Sequence, residues 1–362
     1  MNHVTIIAGA RPNFMKVAPI IHEIKKRKAE GVDIDYSLVH TGQHYDKKMS
    51  GDFFAQLNIP EPNANLSAGG GTQAEQTGAI MVRFEEHLMN NPTDLVVVVG
   101  DVTSTMACAI TAQKLHVKVA HVEAGIRSND WTMPEEINRL VTDAITNYFF
   151  TTSEVANQTL RASGYGDGQI FFVGNCMIDT LLSNRPRFLQ PCIWKELGLN
   201  EKSYFMMTLH RPANVDEGAK LKELMDEIIN NTQDMPLVFP VHPRTKKMLN
   251  ELGIEHERLY MVDPMSYLEF NYLVERSFAV VTDSGGITEE TTVMGVPCLT
   301  LRDNTERPET VTVGTNELIG TDPKNIAPAM KTLFAGEWKK GDIPELWDGK
   351  TAGRIVEKLM AL

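Results

Sequence analysis

The segment H-V-E-A-G-I-R-S, followed shortly by M-P-E-E-I-N-R, carries Glu123, Arg127, Glu135 and Arg139, and Asp101 stands upstream of it. Glu123 closes an apolar strand pattern, while Glu135 and Arg139 open a helical one. Three acids and two arginines on strand ends and loops make a poor core. They make a workable acid/base site, because strand-end carboxylates facing a crevice are where α/β proteins move protons. Taken alone, Asp101 in V-V-G-D-V-T-S-T reads as the cap of the helix opening at Thr103–Thr105. Beside Glu123 and Glu135 it becomes a catalytic candidate.

The second half carries a different chemistry. In F-A-V-V-T-D-S-G-G-I-T-E-E an apolar strand ends at Asp283, Ser284-Gly285-Gly286 is read as a tight turn, and a helix follows over 287–294. Two glycines before a helix let a diphosphate approach the backbone, and the helix N-terminus favours its charge. Glu290, one turn in, is placed to accept ribose hydroxyls. The competing reading is simple capping by Ser284 or Thr288, with the acids complementing the dipole. T-L-H-R-P-A-N-V-D puts His210 and Arg211 at another strand end, fit to bind a diphosphate or to protonate a leaving group. A structural histidine is the alternative there. V-H-P-R-T repeats the arrangement at His242 and Arg244, and R-D-N-T-E-R-P-E adds Arg302 and Arg307. Near the N-terminus, A-G-A-R-P-N-F-M-K offers a turn at Gly9 with Arg11 and Lys16 suited to an anionic ligand. That turn is not G-x-G-x-x-G, which disfavours a nicotinamide cofactor.

The elements that must hold these residues alternate in type. V-T-I-I-A-G, D-Y-S-L-V-H, D-L-V-V-V-V-G, V-K-V-A-H-V and N-Y-F-F-T read as buried strands, with helices at 14–28, 73–89, 103–114 and 134–147 between them. The pattern restarts with Y-F-M-M-T-L-H, P-L-V-F-P-V-H, F-A-V-V-T-D and P-C-L-T-L, with helices at 216–230 and 266–276. The expectation is an α/β chain of two Rossmann-like, doubly wound domains, 1–175 and 176–350, facing a cleft, with helix 351–362 joining the first. N-R-P-R-F-L-Q-P reads as the hinge and Gly69–Gly71 as a mobile loop.

Composition narrows the partners. A length of 362 residues favours two cores, and a net charge of −12 argues against nucleic acid and anionic membranes. The four cysteines lack metal-binding or disulfide spacing, so no metal is expected. The N-terminus runs directly into V-T-I-I-A-G with no signal-peptide pattern, which gives a cytoplasmic expectation.

Together these blocks, with T-G-Q-H-Y-D and V-G-N, resemble the non-hydrolysing UDP-N-acetylglucosamine 2-epimerases, a family of GT-B fold, in the family's order over most of the chain. The resemblance implies a UDP-sugar substrate, no cofactor, a homodimer and a role in surface polysaccharide synthesis. It implies C2 inversion by anti elimination of UDP to a 2-acetamidoglucal and re-addition. Asp101, Glu123 and Glu135 then become the acid/base candidates, Arg139 their support, and His210 the residue stabilising departing UDP. Arg11, Ser284, Gly285, Gly286 and Glu290 would hold the nucleotide, joined by Lys16, Arg211, His242 and Arg307 from the residue reading. One stretch departs from the family: S-A-G-G-G-T-Q-A-E-Q-T-G lacks an arginine that many bacterial members link to an allosteric UDP-sugar site, which speaks against such activation. Relatives acting on UDP-2,3-diacetamido-glucuronates share this glycine-rich form, so that substrate is the alternative. A GT-B glycosyltransferase, a hydrolysing epimerase and a silent UDP-sugar sensor are the remaining readings.

Overall fold

Leu95–Val99 is a leucine followed by four valines, and all five are buried. A run apolar on both faces belongs in the middle of a parallel sheet covered on both sides. The computed structural model places it there as strand β4. It describes residues 3–42, 57–215, 217–241 and 243–362, with the side chains of Arg11, Pro212, Ala213, Pro243 and Arg244 outside that description.

The chain divides into two compact units, Met1–Ser183 with Glu345–Leu362, and Asn184–Pro344. The first runs β1 (His3–Ala8), α1 (Arg11–Ala29), β2 (Asp35–His40), β3 (Ala64–Asn65), α2 (Gln73–Asn90), β4, α3 (Thr103–Lys114), β5 (Lys118–Val122), α4 (Pro134–Ala144), β6 (Tyr148–Thr151), α5 (Glu154–Ala162), β7 (Ile170–Phe172) and α6 (Cys176–Asn184). Its described strands lie in the order β3-β2-β1-β4-β5-β6-β7, every pair parallel.

The second unit runs α7 (Cys192–Glu196), β8 (Phe205–Thr208), α8 (Pro212–Val215), α9 (Gly218–Asn230), β9 (Leu237–Pro240), α10 (Pro243–Glu251), β10 (Leu259–Val262), α11 (Tyr267–Arg276), β11 (Ala279–Thr282), α12 (Gly285–Met294), β12 (Cys298–Thr300), α13 (Pro308–Thr312), β13 (Asn316–Leu318) and α14 (Ile326–Phe334). Its strands are parallel too, in the order β10-β9-β8-β11-β12-β13. Both units are Rossmann-like doubly wound sheets, the fold class expected of a GT-B chain. In each, the strand order reverses once, between β1 and β4 and between β8 and β11. Ligands of open α/β sheets sit outside the carboxyl ends of strands at such a reversal.

The first unit extends past the expected boundary at residue 175, because α6 is bonded into it. Thr180 Oγ1 donates to the Met15 carbonyl at 2.5 Å, and Asp179 accepts from the backbone N–H groups of Thr351 and Ala352 at 3.1 and 2.7 Å. Those last two bonds hold the first residues of α15 (Thr351–Ala361), which packs against α1. Trp347 is buried beside it and donates to the Thr152 carbonyl at 3.1 Å.

Candidate active site

Gly9 follows β1 where an added Cβ would lie 2.0 Å from Ser104 Oγ, so only a glycine lets the turn pass the first turn of α3. Asn13 secures that turn. Its Oδ1 accepts from the N–H groups of Gly9 and Ala10 at 3.0 and 3.1 Å, and its Nδ2 donates to the Val99 carbonyl at 3.1 Å. Arg11 is the first residue of α1, with its side chain outside the described part. Lys16, on the same helix, reaches Glu123: Nζ and Oε2 are 2.5 Å apart.

Glu123 is buried and follows β5 in the left-handed region, φ 70°. A non-glycine residue there costs ~1–3 kcal/mol and persists only where its surroundings over-determine it. Such strain concentrates at functional positions. Here the N–H groups of Glu123 and Ala124 both donate to the Phe150 carbonyl, at 2.9 and 3.2 Å, and the Lys16 pair adds a third constraint. An added Cβ on neighbouring Gly100 would come within 2.9 Å of Lys16 Nζ and 3.8 Å of Glu123 Oε2, so the loop after β4 lies against this pair.

Asp101 stands on that loop. The N-cap position of α3 is Val102, the residue that follows it. The Asp101 carboxylate takes the fork of Arg139, with Nη2 at 2.6 Å and Nε at 3.1 Å from Oδ2, and Asn138 Nδ2 donates to its carbonyl at 2.8 Å. Glu135 is exposed at the start of α4, whereas the next residue, Glu136, is buried. Glu136 accepts from Ser128 N, Ser128 Oγ and Asn129 N at 2.9, 3.0 and 3.0 Å, and from Arg139 at 2.7 Å. These bonds outweigh the effect of burial and hold the Glu136 carboxyl below the usual range. Glu136 therefore shapes the loop before α4 and orients Arg139, a task that two adjacent glutamates in a sequence do not reveal.

In the second unit, β8 and β11 pair through Thr208 and Thr282, whose hydroxyls are 2.7 Å apart. The residues that follow each strand meet. Asp283 is wholly buried, and its carboxylate lies 2.8 Å from His210 Nδ1. It also accepts from the His210 and Arg211 N–H groups, the latter at 2.9 Å, and from Asn214 Nδ2 at 3.1 Å. Burial alone would raise the Asp283 carboxyl, but these donors hold it below the usual range. His210, with a side chain 61% exposed, therefore sits on an ionised carboxylate that fixes its Nδ1–H and turns Nε2 outward. In the sequence Asp283 shows only as the end of a strand; its bonds to His210, Arg211 and Asn214 make it part of the candidate site.

Ser284 occupies the N-cap position of α12 but makes no side-chain cap bond, and no acid lies in the first turn. The simple capping reading thus fails at Ser284. Gly285 and Gly286 are the first two residues of α12 rather than a turn before it. Their backbone N–H groups belong to the positive end of the helix, and Ser284, Gly285 and Gly286 are half-buried rather than sealed. An added Cβ on Gly285 would lie 3.8 Å from Arg302 Nη1. Glu290 is buried on this helix, accepts from Tyr267 Oη at 2.7 Å, and is pushed up to about 7 by its burial. Arg211 is half-buried, with Nε donating to the Asp283 carbonyl at 3.1 Å. Arg307 is buried against Glu289 at 2.8 Å, and Arg302 against Glu306 at 2.7 Å. Their charges are thus already neutralised by acids. His242 lies outside the described residues, as do Gln43, His44 and Asp46. Among the described residues no group of His, Cys, Asp and Glu side chains is arranged to hold a metal ion.

Relatives of this chain share its whole length. A family model described as UDP-N-acetylglucosamine 2-epimerase matches residues 25–360. UDP-N-acetylglucosamine 2-epimerase of Methanocaldococcus jannaschii is 40% identical over 98% of both chains. UDP-2,3-diacetamido-2,3-dideoxy-D-glucuronate 2-epimerase of Pseudomonas aeruginosa is 38% identical over 100% of both. The crystal structure of the M. jannaschii enzyme in complex with UDP-GlcNAc and UDP matches with a TM-score of 0.87 at 39% identity, covering 99% of this chain and 100% of that one. The two strand-end sites therefore lie in a chain that belongs to the UDP-N-acetylglucosamine 2-epimerase family.

Proposed function

We propose that the protein interconverts UDP-N-acetylglucosamine and UDP-N-acetylmannosamine. C2 of the sugar bears no adjacent carbonyl, so its proton leaves only as the C1–O bond to UDP breaks. A carboxylate takes the C2 proton, the C1=C2 double bond of a 2-acetamidoglucal forms, and UDP departs with the bonding pair. Re-addition of UDP at C1 with protonation at the opposite face of C2 completes the inversion. The sequence is redox-neutral and calls for no cofactor.

In this reading the first unit supplies proton transfer through Asp101, Glu123 and Glu135, with Arg139 holding Asp101. The second unit holds UDP. The α12 N-terminus at Ser284–Gly286 and Arg211 receive the diphosphate, Glu290 takes the ribose hydroxyls, and His210 Nε2 stabilises or protonates the departing phosphate oxygen. Arg11, Lys16, His242 and Arg307 are kept as further nucleotide contacts. The observation that carries the reading is Glu123: a buried carboxylate in a left-handed backbone conformation, within 2.5 Å of an ammonium, at the end of a sheet strand.

A 2-epimerase of UDP-2,3-diacetamido-glucuronate is the second reading, favoured by the full-length similarity to the P. aeruginosa enzyme. We further read the protein as cytoplasmic and, on the family resemblance alone, as a homodimer that supplies a precursor for surface polysaccharide. Incubation with each UDP-sugar in D₂O, followed by NMR, tests the proposal. Deuterium at C2 with UDP still attached is expected, and the sugar that exchanges identifies the substrate. Free sugar would point to a hydrolysing epimerase, and no turnover without an acceptor to a transferase. Glu123→Gln should abolish the exchange while UDP still binds.

A further inference from the structure

Asp143 lies near the carboxyl end of α4, is buried, and is bonded both to the loop after β5 and to a residue within that strand. Its Oδ2 accepts from Arg127 Nη1 at 2.6 Å and from the Gly125 N–H at 3.1 Å, both on the loop after β5. Its Oδ1 is 2.7 Å from Nδ1 of His121, a buried residue within β5. The other ring nitrogen, Nε2, lies 2.8 Å from the Gly100 carbonyl on the loop after β4. A carbonyl only accepts, so Nε2 carries a proton and donates it there. Burial alone would raise the Asp143 carboxyl, but the bonds from His121 and Arg127 outweigh burial and hold it below the usual range.

One carboxylate thus connects the two loops from which Asp101 and Glu123 project. Both loops need holding. Gly100 and Gly125 take φ values of 65° and 78°, and Glu123 takes 70° without being a glycine. The middle of α4 grips the first loop again, through Asn138 and Arg139 on Asp101. A well-packed apolar cluster would fill this space without the cost of dehydrating charges. The polar arrangement offers direction instead, with each bond ending on a backbone or side-chain group of a loop that bears an acid.

We propose that Asp143 and His121 are positioning residues, a buried clasp that fixes the Gly100–Asp101 and Glu123–Gly125 turns relative to one another so that their two carboxylates meet the sugar in register. The proposal rests on the reading of Asp101 and Glu123 as acid/base groups. Misplacing a reacting group by about 1 Å can cost ~10²-fold in rate, and the clasp's effect is of that kind.

The test uses the full-length enzyme, UDP-N-acetylglucosamine in D₂O and four variants. His121→Leu removes both ring bonds and should lower kcat for C2 exchange ~10²-fold, with KM and UDP affinity unchanged. His121→Gln can restore a donor to the Gly100 carbonyl and should recover about tenfold of that loss. Asp143→Asn, which keeps the volume and removes the charge, should lower kcat without raising KM, and it carries the test if His121→Leu does not fold. A purely structural role would not produce this split between kcat and KM, nor rescue by glutamine. Folded clasp variants with kcat within about twofold of the parent, a loss carried by KM, or glutamine no better than leucine would each overturn the clasp. Glu123→Gln runs in parallel. If it loses exchange while the clasp variants keep it, the clasp alone fails; if it keeps exchange, the acid/base reading fails and the clasp with it.

Discussion

Each unit presses a histidine against a buried aspartate at almost the same distance, 2.7 Å for His121 and Asp143 and 2.8 Å for His210 and Asp283. The pairs differ in what lies beyond the ring. His121 is buried and gives its second nitrogen to a backbone carbonyl, whereas the side chain of His210 is 61% exposed. A histidine–carboxylate pair is therefore not a catalytic signature in itself. The partner of the outer nitrogen decides whether the ring braces the chain or meets a ligand.

The two histidines should differ most under substitution of His210. His210→Asn should lower kcat by ~10²–10⁴-fold, the range for a lost proton-transfer group. The melting temperature should stay unchanged, because the ring is largely in water. Steady-state kinetics with a thermal melt would show this, and an unaltered kcat would place both histidines among the scaffold. Glycines give the next largest contrast. Gly125→Ala would put a Cβ 2.5 Å from the Ala156 carbonyl oxygen at φ 78°, and should destabilise the protein by about 3 kcal/mol in a denaturant titration. Gly285→Ala would make only an ordinary contact, 3.8 Å from Arg302 Nη1, on a helical backbone. It should leave folding intact or improve it by up to ~1 kcal/mol. Its cost should appear in calorimetry as about a tenfold loss of UDP affinity, ~1.4 kcal/mol. Equal behaviour of the two glycines would remove the distinction between a packed turn and a ligand-facing one.

The smallest effect is a difference in titration. Asp143 and Asp283 are held below their ordinary value of 3.8, so what they contribute to stability is present above it and fades as pH falls further. Glu290 runs the other way, raised by burial from 4.5 to about 7. The unfolded chain ionises this group before the folded one does, so the parent loses stability as pH rises from 4.5 to about 7 and then levels off. Glu290→Gln escapes that loss. Its stability relative to the parent should grow across this window, measured by chemical unfolding at several pH values.

Much of this architecture is legible in the sequence because buried parallel strands are almost wholly apolar. V-V-V-V and A-V-V-T announce themselves, and the polar residue that follows each marks a strand end. Ile170–Phe172, Leu259–Val262 and Asn316–Leu318 do not, being three or four residues long, and the last is polar enough to pass for a loop. The sites divide along the same line. Glu123 and His210 are visible as polar groups directly after apolar runs. Glu136 is not, since α4 buries Glu136, Asn138, Arg139, Thr142 and Asp143, a polar face without the apolar period that reveals an inward side. His121 did carry a signal, a histidine in the middle of K-V-A-H-V. A polar ring in such a strand must find partners, and the pattern does not name Asp143 as one of them.

The bonds from Thr351 and Ala352 to Asp179 bear on how this chain is made. The first unit is begun by residues 1–183 yet is completed by residues 345–362, after the whole of the second unit has been synthesised. During translation Asp179 and the pocket for Trp347 must wait, open to water, while Asn184–Pro344 emerges and folds as an uninterrupted segment. Domains ordinarily fold in the order in which they leave the ribosome. Here the second to be made can finish first, and residues 345–362 close the one that started.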